Sequence, residues 1–135
     1  MAQAAVNISE RAQPEALEVA VLDRDHLARM TFGDRSLERE VLHLFDRQSE
    51  LLLERMRASE PAAIATLAHT LKGSAVGIGA TRVAGAAAEV ETTARARPDE
   101  CKRAIDELAQ AVKAARDEIS ALIRAHCLGM ASSRE

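Results

Sequence analysis

The sequence predicts an all-α protein: an antiparallel up-down four-helix bundle with a short additional N-terminal helix. Three observations carry this. The bulk of the chain is alanine, leucine, glutamate and arginine, all strong helix formers, and its only aromatics are Phe32 and Phe45. No run alternates β-branched or aromatic residues with polar ones, so no strand is expected. Long stretches repeat apolar residues at helical spacing, and prolines, glycines and capping residues punctuate them at short intervals.

At 135 residues the chain makes about one domain, enough to bury a core without metals or disulfides. Residues 1–21, with Pro14 and no sustained periodicity, read as a flexible N-terminal arm, and 22–128 as the bundle. Asp23 suits the N-cap of a short helix ending at Thr31, and Gly33 breaks it. Asp34 or Ser36 caps a second helix to about Arg57, with Leu37, Val41, Leu44, Phe45, Leu51, Leu52 and Met56 at helical spacing. Ser59-Glu60-Pro61 opens a third, since proline is tolerated in a first turn. It runs to about Val76, where Gly77-Ile78-Gly79 ends it. Thr81 starts a fourth helix through an alanine-rich run to about Arg97, and Pro98 stops it. Asp99 caps a long fifth helix with Ile105, Leu108, Val112, Ala115, Ile119, Leu122 and Ile123 on one side, fading before Gly129. Residues 129–135 are expected to form a disordered tail.

Composition removes several classes of function. A formal net charge of -3 with interspersed signs offers no electrostatic footprint for nucleic acid. No run approaches 18 apolar residues, and the first 21 residues contain Asn7, Glu10, Arg11 and Glu15 where a signal sequence needs an apolar stretch. A cytoplasmic protein without membrane association is expected. Cys101 and Cys127 stand roughly 39 Å apart on one helix, at 1.5 Å per residue, so they are expected as reduced, buried thiols. His26, His43 and His126 show no convergent ligand spacing, so no metal site is expected.

The third helix has an unusual outer face. Ile64, Leu67, Ala68, Leu71, Ala75 and Ile78 form its buried stripe, and His69 falls about 140° from the centre of that stripe. Around His69 lie Ala62, Ala65, Thr66, Lys72, Gly73 and Val76, where an ordinary helix surface carries glutamate, lysine and arginine. A mid-helix glycine there costs about 1 kcal/mol relative to alanine, so helix stability did not place Gly73. Four positions after His69, it leaves open space beside the imidazole, and Lys72 can bring an ammonium to the same spot. Such a platform suits an anion passed from a second protein pressed against the helix, with Ala62, Ala65, Thr66 and Val76 as candidate docking residues.

The segment His69-Thr70-Leu71-Lys72-Gly73-Ser74-Ala75, followed by Gly79, resembles the signature of histidine-containing phosphotransfer (HPt) domains. That pattern is His-x-hydrophobic-Lys-Gly-small-small with a glycine ten positions after the histidine. Leu22-Asp23, Phe32-Gly33-Asp34, Leu37 and Phe45 resemble the opening segments of such domains, so the similarity covers about residues 22 to 127. The resemblance implies a phosphocarrier of a bacterial-type two-component phosphorelay, with His69 as acceptor, Lys72 stabilising the phosphate and Gly73 giving access. It further implies a glutamine or glutamate 22 positions after the histidine, here Glu91, which would hold Nδ1–H and leave Nε2 free. Glu89 competes for that role, but the two lie about 200° apart on a helix and cannot both face His69.

Partners implied by the resemblance are response-regulator receiver domains and a histidine kinase or hybrid kinase. Mg²⁺ would be supplied in the receiver's pocket, and the chain would have no cofactor of its own. No kinase glycine-rich loop or ATP-binding segment is present, so a carrier without its own kinase activity is expected, and a monomer. Two rivals stay open. A histidine-bearing dimerisation fragment of a sensor kinase would carry an acidic residue where Thr70 stands, and a phosphorylation-independent helical adaptor would use the same platform for binding alone.

Overall fold

The chain from Arg24 to Ser133 forms five α-helices and one 3-10 turn, with no strand among the described residues, 21–133 of the computed structural model. Helix boundaries follow local chemistry. In α1 (Arg24–Met30) the Asp23 carboxylate accepts from the His26 amide at 3.1 Å, satisfying a donor the first turn leaves orphaned. The helix closes in a Schellman turn: the Phe32 amide donates to the Arg29 carbonyl and the Gly33 amide to the Ala28 carbonyl. Phe32 at φ 56 and Gly33 at φ 73 take the left-handed conformation this requires.

Asp34, not Ser36, caps α2 (Arg35–Arg57), accepting from the Leu37 amide at 3.1 Å. Pro61 sits in the first turn of α3 (Pro61–Ile78), as its missing amide allows. Gly77 lies inside α3, so the helix outruns the expected end at Val76. A glycine ends a helix when it takes the left-handed conformation, and here that glycine is Gly79, at φ 83. Helix α4 spans Thr81–Ala96.

Asp99 does not cap the last helix. It lies within the 3-10 turn Pro98–Glu100, whose bond from the Cys101 amide to the Pro98 carbonyl leads directly into α5 (Cys101–Ser133). α5 also continues through Gly129 to Ser133, past the expected start of the disordered tail. One glycine costs a helix only about 1 kcal/mol, and no proline follows to stop it. Residues 134–135, and 1–20 of the expected arm, lie outside the described residues.

Helices α2 to α5 pack in chain order around one core, and α2 meets α5 to close an up-down bundle. α3 and α4 make the most extensive contact. Their buried alanines, Ala68 and Ala75 on one and Ala87 and Ala94 on the other, add little bulk between the two backbones. α3 buries Ile64, Ala68, Leu71, Ala75 and Ile78 as expected, with Leu67 half-buried.

The face of α2 differs from its expectation. Phe45, Leu52 and Met56 are buried with Leu42, Glu38 and Ser49, whereas Leu37, Leu44 and Leu51 are exposed. α2 carries two apolar stripes roughly 120° apart, and the neighbouring helices cover only one. Cys101 is buried, but Cys127, expected inside, is exposed; both are free thiols. His126 beside it takes the inward position instead.

Helix α1 closes one end of the bundle. Leu22 and Leu27 are buried, the Asp23 amide donates to the Gly79 carbonyl at 2.8 Å, and Arg24 pairs with Glu118 of α5 at 2.6 Å. Gly79 is tight for a second reason: a Cβ there would stand 2.9 Å from the Asp23 carbonyl oxygen. Among the described residues, no helix is long and apolar enough to cross a membrane.

Candidate functional site

His69 projects from the middle of α3 with 65% of its side chain exposed. Its Nδ1 lies 3.2 Å from Oε2 and 3.4 Å from Oε1 of Glu91, which comes from the antiparallel α4. A carboxylate accepting from Nδ1–H selects the tautomer whose Nε2 keeps its lone pair. Glu89 is exposed and makes no ion pair among the described residues, so the helical turn decides between the two acids as expected.

Glu91 serves more than His69. Lys72 Nζ lies 3.4 Å from its Oε1, and Arg95, one turn further along α4, brings a guanidinium nitrogen to 3.3 Å from its Oε2. Partial burial pushes the Glu91 carboxyl up, but hydrogen bonds and charge from His69 and Lys72 outweigh it and hold it below its ordinary value. The carboxylate is therefore anionic at neutral pH and shared among three partners. Arg95 was not singled out from the sequence, though its position four residues after Glu91 is the spacing at which helical ion pairs form.

Gly73 is exposed, and a Cβ built on it would meet nothing within 4 Å. No packing within the chain requires a glycine there, and the space beside the imidazole is open to an incoming group. Of the candidate docking residues, Ala62, Thr66 and Val76 are exposed, Val76 at 57%. Ala65 is not among them: it is 3% exposed and belongs to the core. The buried stripe of α3 is wide enough to take Ala65 because a methyl group fits beneath a neighbouring helix without displacing it.

Away from this surface, His126 and Glu38 form a pair that sequence reasoning missed. His126 Nε2 and Glu38 Oε1 lie 3.1 Å apart, and both residues are buried. Residues 88 positions apart with ordinary helical neighbours leave no sequence signal for such a contact. His26, which is half-buried, donates from Nε2 to the Gly77 carbonyl at 3.1 Å and so helps fasten α1 to α3. Among the described residues, no group of three or more His, Cys, Asp or Glu side chains is arranged to hold a metal.

An exposed imidazole, beside a carboxylate and flanked by cations on a helical bundle, leaves one ring nitrogen open to an incoming group. Comparison with known proteins gives the family. A family profile described as Hpt domain matches residues 36–121, well over half of the sequence, and the chain belongs to that family. None of the curated proteins compared matches the sequence.

Solved structures share the fold. Histidine-containing phosphotransfer protein B (HptB) from Pseudomonas aeruginosa PAO1 matches with a TM-score of 0.69 at 24% identity, over 74% of this chain and 91% of that one. A putative histidine-containing phosphotransfer protein from rice matches with 0.71 at 16% identity, over 92% and 95%. Histidine phosphotransferase ShpA from Caulobacter crescentus matches with 0.62 at 24% identity, over 82% and 98%.

Proposed function

We propose that this chain is a phosphocarrier of a bacterial-type two-component phosphorelay, accepting a phosphoryl group on His69 and returning it to receiver-domain aspartates. The observation that carries this reading is the contact between His69 Nδ1 and Glu91, 3.2 Å across two helices, on an imidazole otherwise exposed. In uptake, the Nε2 lone pair attacks the phosphorus of an aspartyl phosphate. The N–P bond forms as the P–O bond to the aspartate breaks, and the aspartate leaves as a carboxylate. The ring becomes cationic, and Glu91 holds Nδ1–H throughout, balancing that charge. Return of the group reverses each step.

The transition state of such a transfer is loose, so alignment and charge stabilisation dominate. Lys72 supplies a cation for the phosphoryl oxygens, and Gly73 leaves the space they need. Ala62, Thr66 and Val76 offer small or apolar ground for the partner. Mg²⁺ would come with the receiver's own acidic pocket; among the described residues around His69, the neighbouring carboxylate of Glu91 is already engaged by Lys72, Arg95 and the imidazole, a poor fit to a metal site. The chain would work without ATP-dependent kinase activity, in the cytoplasm, between a histidine or hybrid kinase and its regulators.

Incubation with a ³²P-labelled phospho-receiver tests this. Acid-labile, base-stable label is expected on the wild-type chain and absent from His69→Ala. Label that never reaches the wild type, or that persists on His69→Ala, overturns the proposal in favour of a binding-only adaptor.

A further inference from the structure

α2 carries a row of leucines that the bundle leaves uncovered. Leu37, Leu44 and Leu51 are 38%, 59% and 47% exposed. Their seven-residue spacing sets them in one line along the helix. Arg47, Gln48, Glu50 and Glu54 border a shallow groove around Leu44 and Leu51. On one flank of the row stand Glu40, Arg47 and Glu54, again seven residues apart and alternating in sign. All three are exposed and make no ion pair among the described residues.

We infer that this face of α2 pairs with the same face of a second copy of the chain, antiparallel about Leu44. The argument is self-complementarity. A two-fold axis at Leu44 sets that leucine against its counterpart and Leu37 of each copy against Leu51 of the other, as an isologous interface requires. The same axis keeps equivalent flanks on one side. It brings Glu40 of each copy to within about one residue's rise, roughly 1.5 Å along the helix, of the other copy's Arg47. Two reciprocal ion pairs result. A parallel pairing, related by an axis along the helices, would instead send this flank to opposite sides of the two copies, and Glu40 and Arg47 would not meet.

The row covers about 21 Å of helix, which is two heptads and short of a permanent coiled coil. Association is therefore weak and concentration-dependent, at the small end of protein interfaces. This departs from the monomer expected from the sequence. α2 packs mainly on α3 and α5, and Glu91 stands on α4, across the bundle. The edge bearing His69 and Glu91 stays open in the pair.

Sedimentation equilibrium of the full chain over a rising concentration series tests the pairing, with far-ultraviolet circular dichroism to verify each variant's helix content. A reversible monomer–dimer equilibrium is expected. Leu44→Glu, at an exposed position that does not endanger the fold, weakens it by about tenfold or more, because a charge is pressed against leucine. Glu40→Arg and Arg47→Glu each weaken it, and the two combined restore most of the loss. A chain that stays monomeric throughout, a dimer indifferent to Leu44→Glu, or reversals that fail to compensate overturns the inference. So does loss of phosphoryl uptake in Leu44→Glu from a chain that is monomeric as wild type, which would assign the row to another partner.

Discussion

His69 Nδ1 lies 3.2 Å from Oε2 of Glu91, and the same carboxylate receives Lys72 and Arg95. The three partners come from two helices, so one anion ties α3 to α4 at the level of the exposed ring. A phosphoryl group on Nε2 would introduce a second anion beside it. Lys72, whose side chain is 35% exposed, and Arg95, at 64%, would then divide between the two.

Loss of the acceptor at Nδ1 is expected to slow transfer without unfolding the chain. Glu91→Ala removes both the tautomer selection and the charge that balances the phosphorylated ring, and a drop of about tenfold or more corresponds to roughly 1.4 kcal/mol of barrier. Glu91→Gln keeps an acceptor and should fall less. Quenched-flow measurement of label transfer from a phospho-receiver checks the order.

Lys72→Ala should slow transfer more than Arg95→Ala. Lys72 lies three residues from His69 on the same helix face, whereas Arg95 reaches Glu91 from α4 as an exposed ion pair, of a kind worth only about 0–1 kcal/mol. Equal rates for the two variants would count against a phosphate-binding role for Lys72.

Two glycines should respond in opposite ways to alanine. Gly73→Ala adds a methyl group to open space in a helix interior, so it should stabilise the fold by about 0.5–1 kcal/mol while slowing phosphoryl uptake. Gly79→Ala forces a φ of 83 on an L-residue and sets a Cβ 2.9 Å from the Asp23 carbonyl oxygen. The left-handed conformation alone costs roughly 1–2 kcal/mol. Urea unfolding should separate the pair, and hydrogen exchange at the Asp23 amide should quicken only in Gly79→Ala.

The end of the bundle held by His126 and Glu38 should weaken in mild acid. Burial pushes the His126 imidazole below its ordinary value of 6.5; Glu38 opposes this, and Arg35, Arg39 and Arg24 add to it. The folded state thus binds its proton less readily than the unfolded chain. The stabilisation is complete above about pH 6.5 and is lost as the pH falls through that value toward the folded one. Protonation would also place an N–H on Nδ1, which is buried without a hydrogen-bond partner among the described residues. In His126→Gln the urea midpoint should lose this part of its pH dependence.

Much of the fold was legible because helix ends are written in short-range chemistry. Asp23, Asp34, Pro61 and Gly79 act through their own neighbours, and each stands where its side chain or φ demands. His69, Lys72 and Gly73 were legible for the same reason, because they share one helix, whereas Glu91, 22 residues on and on another helix, was named only through the family resemblance. α2 was misread because both of its stripes are apolar, and periodicity cannot say which one neighbours will cover. Ala65 was misplaced because alanine suits either side of a helix.

The sequence by itself determined which segments become helices, where most of them begin and end, and that one helix presents an imidazole beside a lysine and an unexplained glycine. These depend on contacts within a turn or two of chain. The tertiary structure alone decided that Leu42 and Ser49 go inside while Leu44 and Leu51 stay out, that Glu38 meets His126, and that Asp23 closes against Gly79. Those outcomes depend on how helices rotate and cross to fill a common core, and that choice is made by all of them together.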